Sequence, residues 1–291
     1  MLRGSEWLLI ANFAYLSVLA LALPVRAPVA VVTLVLNSAI VASYALLAYA
    51  DSFRRGLLLG AIRDWYPFPL LLLTYREMGW FAQPQFQHHL ETAWVAWDRR
   101  LLDGGLRALI EALGPVVPAG LEISYALVFA LGPLSMAVLF LYRRRDRADR
   151  FLFLFLLAVL LSYWQFPFWP SEPPRTVFPG LDMPNYTSPF RRFNWWYLGS
   201  QGIHTSVFPS AHVSGAFGAA FGMLRALPER PWAGRFLLVL AVLIATATVY
   251  GRYHYFVDAA AGLAVSLAAL GISDIRSRAA ASTAGREKTI R

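Results

Sequence analysis

The feature that most constrains this chain is the recurrence of apolar stretches about 20 residues long, the length a helix needs to cross the hydrocarbon core of a bilayer. Such stretches occupy residues 6–23, 28–50, 120–142, 151–169, 207–227, 236–253 and 254–272. An eighth, 56–75, is long enough but carries Arg63, Asp64, Pro67 and Pro69, so it either spans or enters and leaves one face. Backbone polar groups in hydrocarbon must be satisfied within their own segment, which leaves helices as the spanning form for stretches of this length. Composition agrees: 58% of residues are apolar and 15% charged, against about 45–50% and about 25% in soluble domains. The expectation is an all-α polytopic membrane protein with about 7–8 transmembrane helices.

The chain has no cysteine, which excludes disulfides, thiol nucleophiles and cysteine-held metals. Its net charge of +9 is almost entirely arginine, and Lys288 is the only lysine. A Gly-Lys-Ser/Thr phosphate loop is therefore impossible. No nucleic-acid partner is expected, and any bound anion falls to arginine, histidine, hydroxyls or backbone N–H groups. Short arginine-rich loops set membrane orientation. The 143–150 run, the 229–235 loop and the tail from 274 are mutually consistent as cytoplasmic, which puts the 169–206 loop and the 253–254 turn on the opposite side. If 56–75 spans, the Phe53-Arg54-Arg55 loop is also inside.

Three regions follow: 1–117, N-terminal helices plus an interfacial helix; 118–273, a core of five spans; and 274–291, a disordered basic tail. In the interfacial segment Leu90, Trp94, Trp97 and Leu101 share one helical face, which suits either a membrane surface or ordinary packing.

Five histidines occur, at 88, 89, 204, 212 and 254, without a His-Glu-x-x-His zinc pattern, so no metal or other cofactor is expected. His212 lies in Pro209-Ser210-Ala211-His212 at the start of one span, and His254 and Asp258 open the next but one. Alternating topology puts both histidines on the same side at similar depth. Asp258 at i+4 can accept a hydrogen bond from His254 and fix its tautomer, although a satisfied buried pair is the plain alternative. Ser210 and the free N–H groups of its helix start form an anion site, or simply a cap. Arg175 follows a rigid Pro-Pro element, and Arg252 stands two residues before His254; both are phosphate-binding candidates. Arg191 and Arg192 suit headgroup contact better than catalysis. Gly215, Gly218 and Gly222 suit close helix packing.

Pro-Ser-Ala-His at 209–212 and His-x-x-x-Asp at 254–258 resemble the second and third signatures of the type 2 phosphatidic acid phosphatase superfamily. With the Pro-Pro-Arg element and His-Tyr-Phe-Val-Asp they look most similar to its inositolphosphotransferase branch, typified by inositol phosphorylceramide synthase. The resemblance covers 120–272. It implies that His254 attacks phosphorus, Asp258 orients it, His212 protonates the leaving group, and Ser210, Arg175 and Arg252 hold the phosphoryl oxygens. Two features depart from the superfamily: the lysine-bearing first signature cannot exist, and Ala247-Thr248 stands where Ser-Arg is usual. Both departures fit the transferase branch better than a plain phosphatase.

The expected activity is transfer of a phosphoryl or phospho-alcohol (inositol phosphate-like) group between lipids, through a phosphohistidine, at the non-cytoplasmic face of the cell membrane. Lipid phosphate or polyprenyl diphosphate hydrolysis is the alternative enzyme. A transporter is the alternative outside enzymes, disfavoured by the lack of inverted repeats. Partners are a phospholipid or other lipid phosphate and the bilayer. The histidines are expected a phosphate's width apart. The outer loop 169–206, with Phe190, Phe193, Trp195, Trp196 and Tyr197, and the helix near Trp94 and Trp97 are expected to cover them.

Overall fold

The computed structural model describes all residues except 1, 54–55, 84–86, 204, 206 and 290–291, with backbone alone at 57, 281 and 283–289. The Arg54-Arg55 loop and His204 thus lie outside the described residues. Among the described residues the fold is all-helical. Helices α1 (Gly4–Ala22) and α2 (Ala27–Phe53) form an antiparallel hairpin, with Pro24 and Arg26 in the short connection between them. The doubtful 56–75 stretch divides into α3 (Leu57–Trp65) and α4 (Pro67–Phe81). Pro67 has no N–H to continue the ladder and sits where a new helix tolerates it.

Next come α5 (His89–Leu101), a π-turn at Leu102–Leu106 bent by Gly105 at φ +120°, and α6 (Arg107–Ala112). Helix α7 (Val116–Ala126) runs through a 3-10 turn into α8 (Leu131–Leu141). The remainder is α9 (Ala148–Tyr163), the short α10 (Pro174–Val177), α11 (Pro189–Gln201), α12 (Ala211–Ala226), α13 (Pro231–Tyr250) and α14 (Phe256–Thr289). Composition from 274 onward predicts disorder, yet α14 continues as helix to Thr289.

Among the described residues five helical segments are long and apolar enough to cross a bilayer: Gly4–Ala22, Ala27–Phe53, Val116–Leu141, Pro231–Tyr250 and Phe256–Ala280. Helices α9 and α12 have 16 residues each. They are the centre of the bundle instead. Leu152, Leu154, Leu156, Ala158 and Leu160 of α9 are fully buried, as expected of a helix apolar on every side. Close contact with α12 needs small residues: a Cβ on Gly218 would stand 2.6 Å from Ala158 Cβ.

The three basic segments expected on one face do meet at one end of the bundle. Arg147 pairs with Glu229 at 2.6 Å and Arg225 with Asp274 at 2.7 Å, while Asp149 caps the start of α1 through Ser5. The starts of α12 and α14 lie together at the other end, where Ser210 N–H donates to the Asp258 carbonyl at 3.0 Å. That juxtaposition positions the site.

Candidate active site

The two histidines are presented by two helix starts. Ser210 caps α12, its hydroxyl accepting from Val213 N–H at 3.3 Å, so His212 falls in the first turn. Asp258 lies in the first turn of α14 and reaches back, the reverse of the Ser210 bond, its Oδ2 accepting from Tyr255 N–H at 2.8 Å. Thr248 carbonyl accepts from both Tyr253 and His254 N–H, folding the chain between α13 and α14 into a tight turn. The imidazoles meet across this junction: His212 Nδ1 lies 3.1 Å from His254 Nε2. The expected phosphate-wide gap is absent, because nothing polar separates the two rings.

The hydrogen-bond order can be derived. His254 Nδ1 lies 3.1 Å from the Val207 carbonyl, which can only accept. The His254 proton therefore sits on Nδ1, and Nε2 carries a lone pair that accepts from His212 Nδ1–H. A base or nucleophile needs that tautomer. Asp258 Oδ2 is 3.4 Å from His254 Nδ1, so the carbonyl is the direct partner and the carboxylate a close neighbour. This corrects the expectation that Asp258 takes the His254 proton contact itself.

Both rings line a cavity of about 410 Å³. Its wall is mostly apolar: Phe68, Leu71 and Leu72 from α4, Phe129 and Pro133 beside α8, and Phe155 and Val159 from α9. Tyr125 packs 5.2 Å from the His212 ring and stacks on Tyr253 at 4.1 Å, while Phe129 meets His212 edge-on at 5.6 Å. Arg175 lines the same cavity. Its Nη1 donates to the Tyr253 carbonyl at 3.3 Å and its guanidinium lies 5.7 Å from the Tyr253 ring centroid. Burial lowers its pKa, the direction expected of a cation withdrawn from water. Guanidinium remains charged at any ordinary pH.

Two phosphate-binding candidates are placed elsewhere. Arg252 is fully buried, donates to Asp98 at 2.6 Å and is not among the residues lining the cavity. Its two-residue spacing from His254 suggested reach, but a left-handed backbone at φ +62° turns it toward α5. Ser210 is also fully buried and away from the cavity lining, its hydroxyl occupied as the α12 cap. Arg191 makes no headgroup contact: it is buried against Glu122 at 2.8 Å and the Gly251 carbonyl. That pairing, with Asn194 and Tyr253 also donating to Glu122, ties α11 to α7 and the His254 turn.

The cover comes from the expected outer loop, but from other residues than Trp195 and Trp196. Tyr197, Leu198 and Gln201 of α11 line the cavity, and Arg76 of α4 donates to Gln201 Oε1. Trp195 and Trp196 are 43% and 66% exposed and face away. Tyr197 belongs to the aromatic run expected to cover the site, whereas Tyr125, Arg76 and Gln201 were missed because each lies in a stretch with no spacing tied to chemistry. Among the described residues no three His, Cys, Asp or Glu side chains converge in a way that could hold a metal ion.

Comparison with known proteins agrees with this geometry. The profile of the PAP2 superfamily matches residues 98–272, more than half of the chain. A PA-phosphatase related-family protein of Dictyostelium discoideum is 42% identical over 60 residues, which is 21% of this chain and 10% of that relative. The chain thus spans about a tenth of that relative's length. No solved structure matches.

Proposed function

This chain belongs to the PAP2 superfamily, a phosphoesterase-type family, and from that premise we propose that it is a metal-independent lipid phosphotransferase working through a phosphohistidine. The observation that carries the reading is the proton order in an apolar cavity beside Arg175: Val207 carbonyl, His254 Nδ1–H, His254 Nε2, His212 Nδ1–H.

In the first half-reaction a lipid phosphoester displaces the His212 contact. The His254 Nε2 lone pair attacks phosphorus, and the P–O bond to the leaving alcohol breaks. His212, protonated at both nitrogens, gives one proton to the departing oxygen. In the second half an acceptor hydroxyl returns a proton to His212 and attacks phosphorus. The P–N bond breaks and His254 is restored. Arg175 and the first-turn N–H groups of α12 neutralise the phosphoryl oxygens, the task that a divalent ion performs in other phosphotransferases. Asp258 and the Val207 carbonyl favour the developing positive charge on the His254 ring.

The group transferred is a phosphoryl or phospho-alcohol group, inositol phosphate-like by the resemblance of the motifs. An apolar wall and the α11 cover limit water at the phosphohistidine, which supports transfer to a lipid hydroxyl over hydrolysis. By the arginine-loop rule the basic end lies in the cytoplasm and the histidines open to the other face of the cell membrane.

The deciding experiment incubates purified enzyme in bilayers with a radiolabelled phospholipid donor, with and without a lipid acceptor. Transfer product should exceed free phosphate or free phospho-alcohol when acceptor is present. Equal release with and without acceptor makes the enzyme a lipid phosphatase.

A further inference from the structure

Helix α5 buries its polar face. Glu91, Trp94, Val95 and Asp98, spaced as one helical stripe, are buried, while Leu90 and Trp97 are exposed. Of the apolar side formed by Leu90, Trp94, Trp97 and Leu101, Trp94 packs inward while Leu90 and Trp97 stay outside the protein, where a membrane-surface face would be. Each of the polar or aromatic side chains in the buried stripe reaches a segment that carries the site. Glu91 Oε1 accepts from Glu172 N–H at 3.1 Å, three positions before Arg175. Trp94 stacks on Phe208 at 5.2 Å, ahead of His212, and meets Tyr255 edge-on at 5.6 Å. Asp98 accepts from Arg252 Nη1 at 2.6 Å through one oxygen and from Phe256 N–H at 2.7 Å through the other. Those last two contacts bracket His254 on both sides.

As a source of stability this pair is poorly built. Both side chains are withdrawn fully from water, and the desolvation of two charges commonly offsets their attraction. Arg252 also leaves Nε and Nη2 without a hydrogen-bond partner and adopts φ +62°, which bulky L-residues rarely do. As a source of geometry it is effective. The left-handed residue reverses the chain, so that the Tyr253 carbonyl meets Arg175 and the next side chain, His254, enters the cavity.

We propose that Asp98 and Arg252 are positioning residues, a clamp by which α5 holds the 252–256 turn so that His254 Nε2 stays in register with His212 and Arg175. The proposal rests on His254 being the nucleophile. With Glu91 on the Glu172 N–H and Trp94 on Phe208, α5 contacts the other two site-bearing segments as well.

The test uses the full-length protein in nanodiscs and compares wild type, Asp98→Asn and the double variant Asp98→Asn/Arg252→Gln. The single variant leaves a buried guanidinium unpaired, so both melting temperature and kcat should fall. The double variant removes both charges and should melt within about 4 °C of wild type, because replacing a complete buried pair is often neutral. Its kcat on a radiolabelled phospholipid should still fall about tenfold or more, with KM within about threefold, as expected of a misplaced reacting group. Its ¹⁵N-histidine spectrum should show the His212 and His254 resonances displaced. Arg252→Lys keeps the charge and should retain more of the kcat than the double variant. A double variant with wild-type melting, kcat and imidazole spectrum overturns the clamp; if the double variant does not fold, Asp98→Asn with wild-type kcat per folded enzyme and an undisplaced imidazole spectrum overturns it. If wild-type enzyme turns over no lipid phosphoester, the phosphotransfer reading fails, and the imidazole spectrum alone decides whether the pair positions His254.

Discussion

The two ends of the bundle treat arginine differently. At the basic end Arg63 is buried between Glu6 at 2.7 Å and Asp51 at 2.5 Å, and Asp64 is shared by Arg3 and Arg145. Those guanidiniums are neutralised by carboxylates from other helices, so they join α1, α2, α3 and the loop before α9. At the histidine end Arg191 and Arg252 follow the same rule, with Glu122 and Asp98 as partners. Arg175 departs from it. Among the described residues it meets a carbonyl and an aromatic ring, and no carboxylate. A cation held beside a cavity by groups that cannot neutralise it retains its charge for an anion from outside. Among the arginines withdrawn from the surface at this end, the two that are neutralised tie helices together and the one without a carboxylate lies beside the cavity.

The sharpest way to break this comparison is at the nucleophile. His254→Ala should lower turnover about a thousand-fold or more, the scale of losing a nucleophile together with its acid–base partner's target. Acid-quenched wild-type enzyme should carry acid-labile phosphate that the variant lacks. A variant retaining more than a few per cent of activity removes the phosphohistidine.

Arg175→Gln and Arg63→Gln then test the two kinds of arginine against each other. Arg175→Gln should cost about a hundredfold in kcat/KM, the usual worth of a preorganised charge donor, with little change in melting temperature. Arg63→Gln strands two carboxylates and should cost about 3–5 kcal/mol of stability, while the folded fraction keeps its specific activity. Reversed outcomes, measured by calorimetry and by turnover per folded enzyme, would dissolve the distinction.

A smaller effect separates the cover from its surroundings. Tyr197 lines the cavity, whereas Trp196 is 66% exposed. Tyr197→Ala should shift products toward hydrolysis by severalfold, and Trp196→Ala should not; product chromatography reads the ratio. The smallest effect belongs to Asp182, which joins Arg99 at 3.1 Å and Arg107 at 3.1 Å outside the cavity. Burial alone would raise its carboxyl, but the hydrogen bonds from Arg99 and Arg107 hold it below the usual range. Its contribution is therefore complete above the unfolded value of about 3.9 and is lost as pH falls through the depressed folded value. With Arg99 well exposed and solvent-screened, Asp182→Asn should cost within about 1 kcal/mol at neutral pH. The difference from wild type should vanish in acid, followed by thermal melts across pH.

Particular residues show what was legible. His212 and His254 could be paired from sequence, although 42 positions apart, because alternating spans returned both helix starts to one face. Arg175 was legible through the rigid Pro-Pro element ahead of it. Arg252 was misread, since two-residue spacing says nothing about a backbone that turns left-handed. The buried Glu91–Asp98 stripe of α5 was not legible for a related reason. A polar face reads as solvent-facing until a partner such as Arg252 or the Glu172 N–H is known to wait for it.

What the sequence determined by itself was the class of fold and the pairing of His212 with His254. Both follow from local rules: apolar length dictates helices in a bilayer, proline and serine dictate where α12 starts, and alternation dictates which starts share a face. Tertiary structure alone decided which arginine keeps its charge, which carbonyl sets the His254 tautomer and which side chains close the cavity. Those depend on contacts between segments distant in the chain, such as Asp98 with Arg252 or Glu122 with Arg191. A charge is neutralised or left free by what packing brings within a few ångströms of it, and no spacing along one strand of sequence encodes that distance.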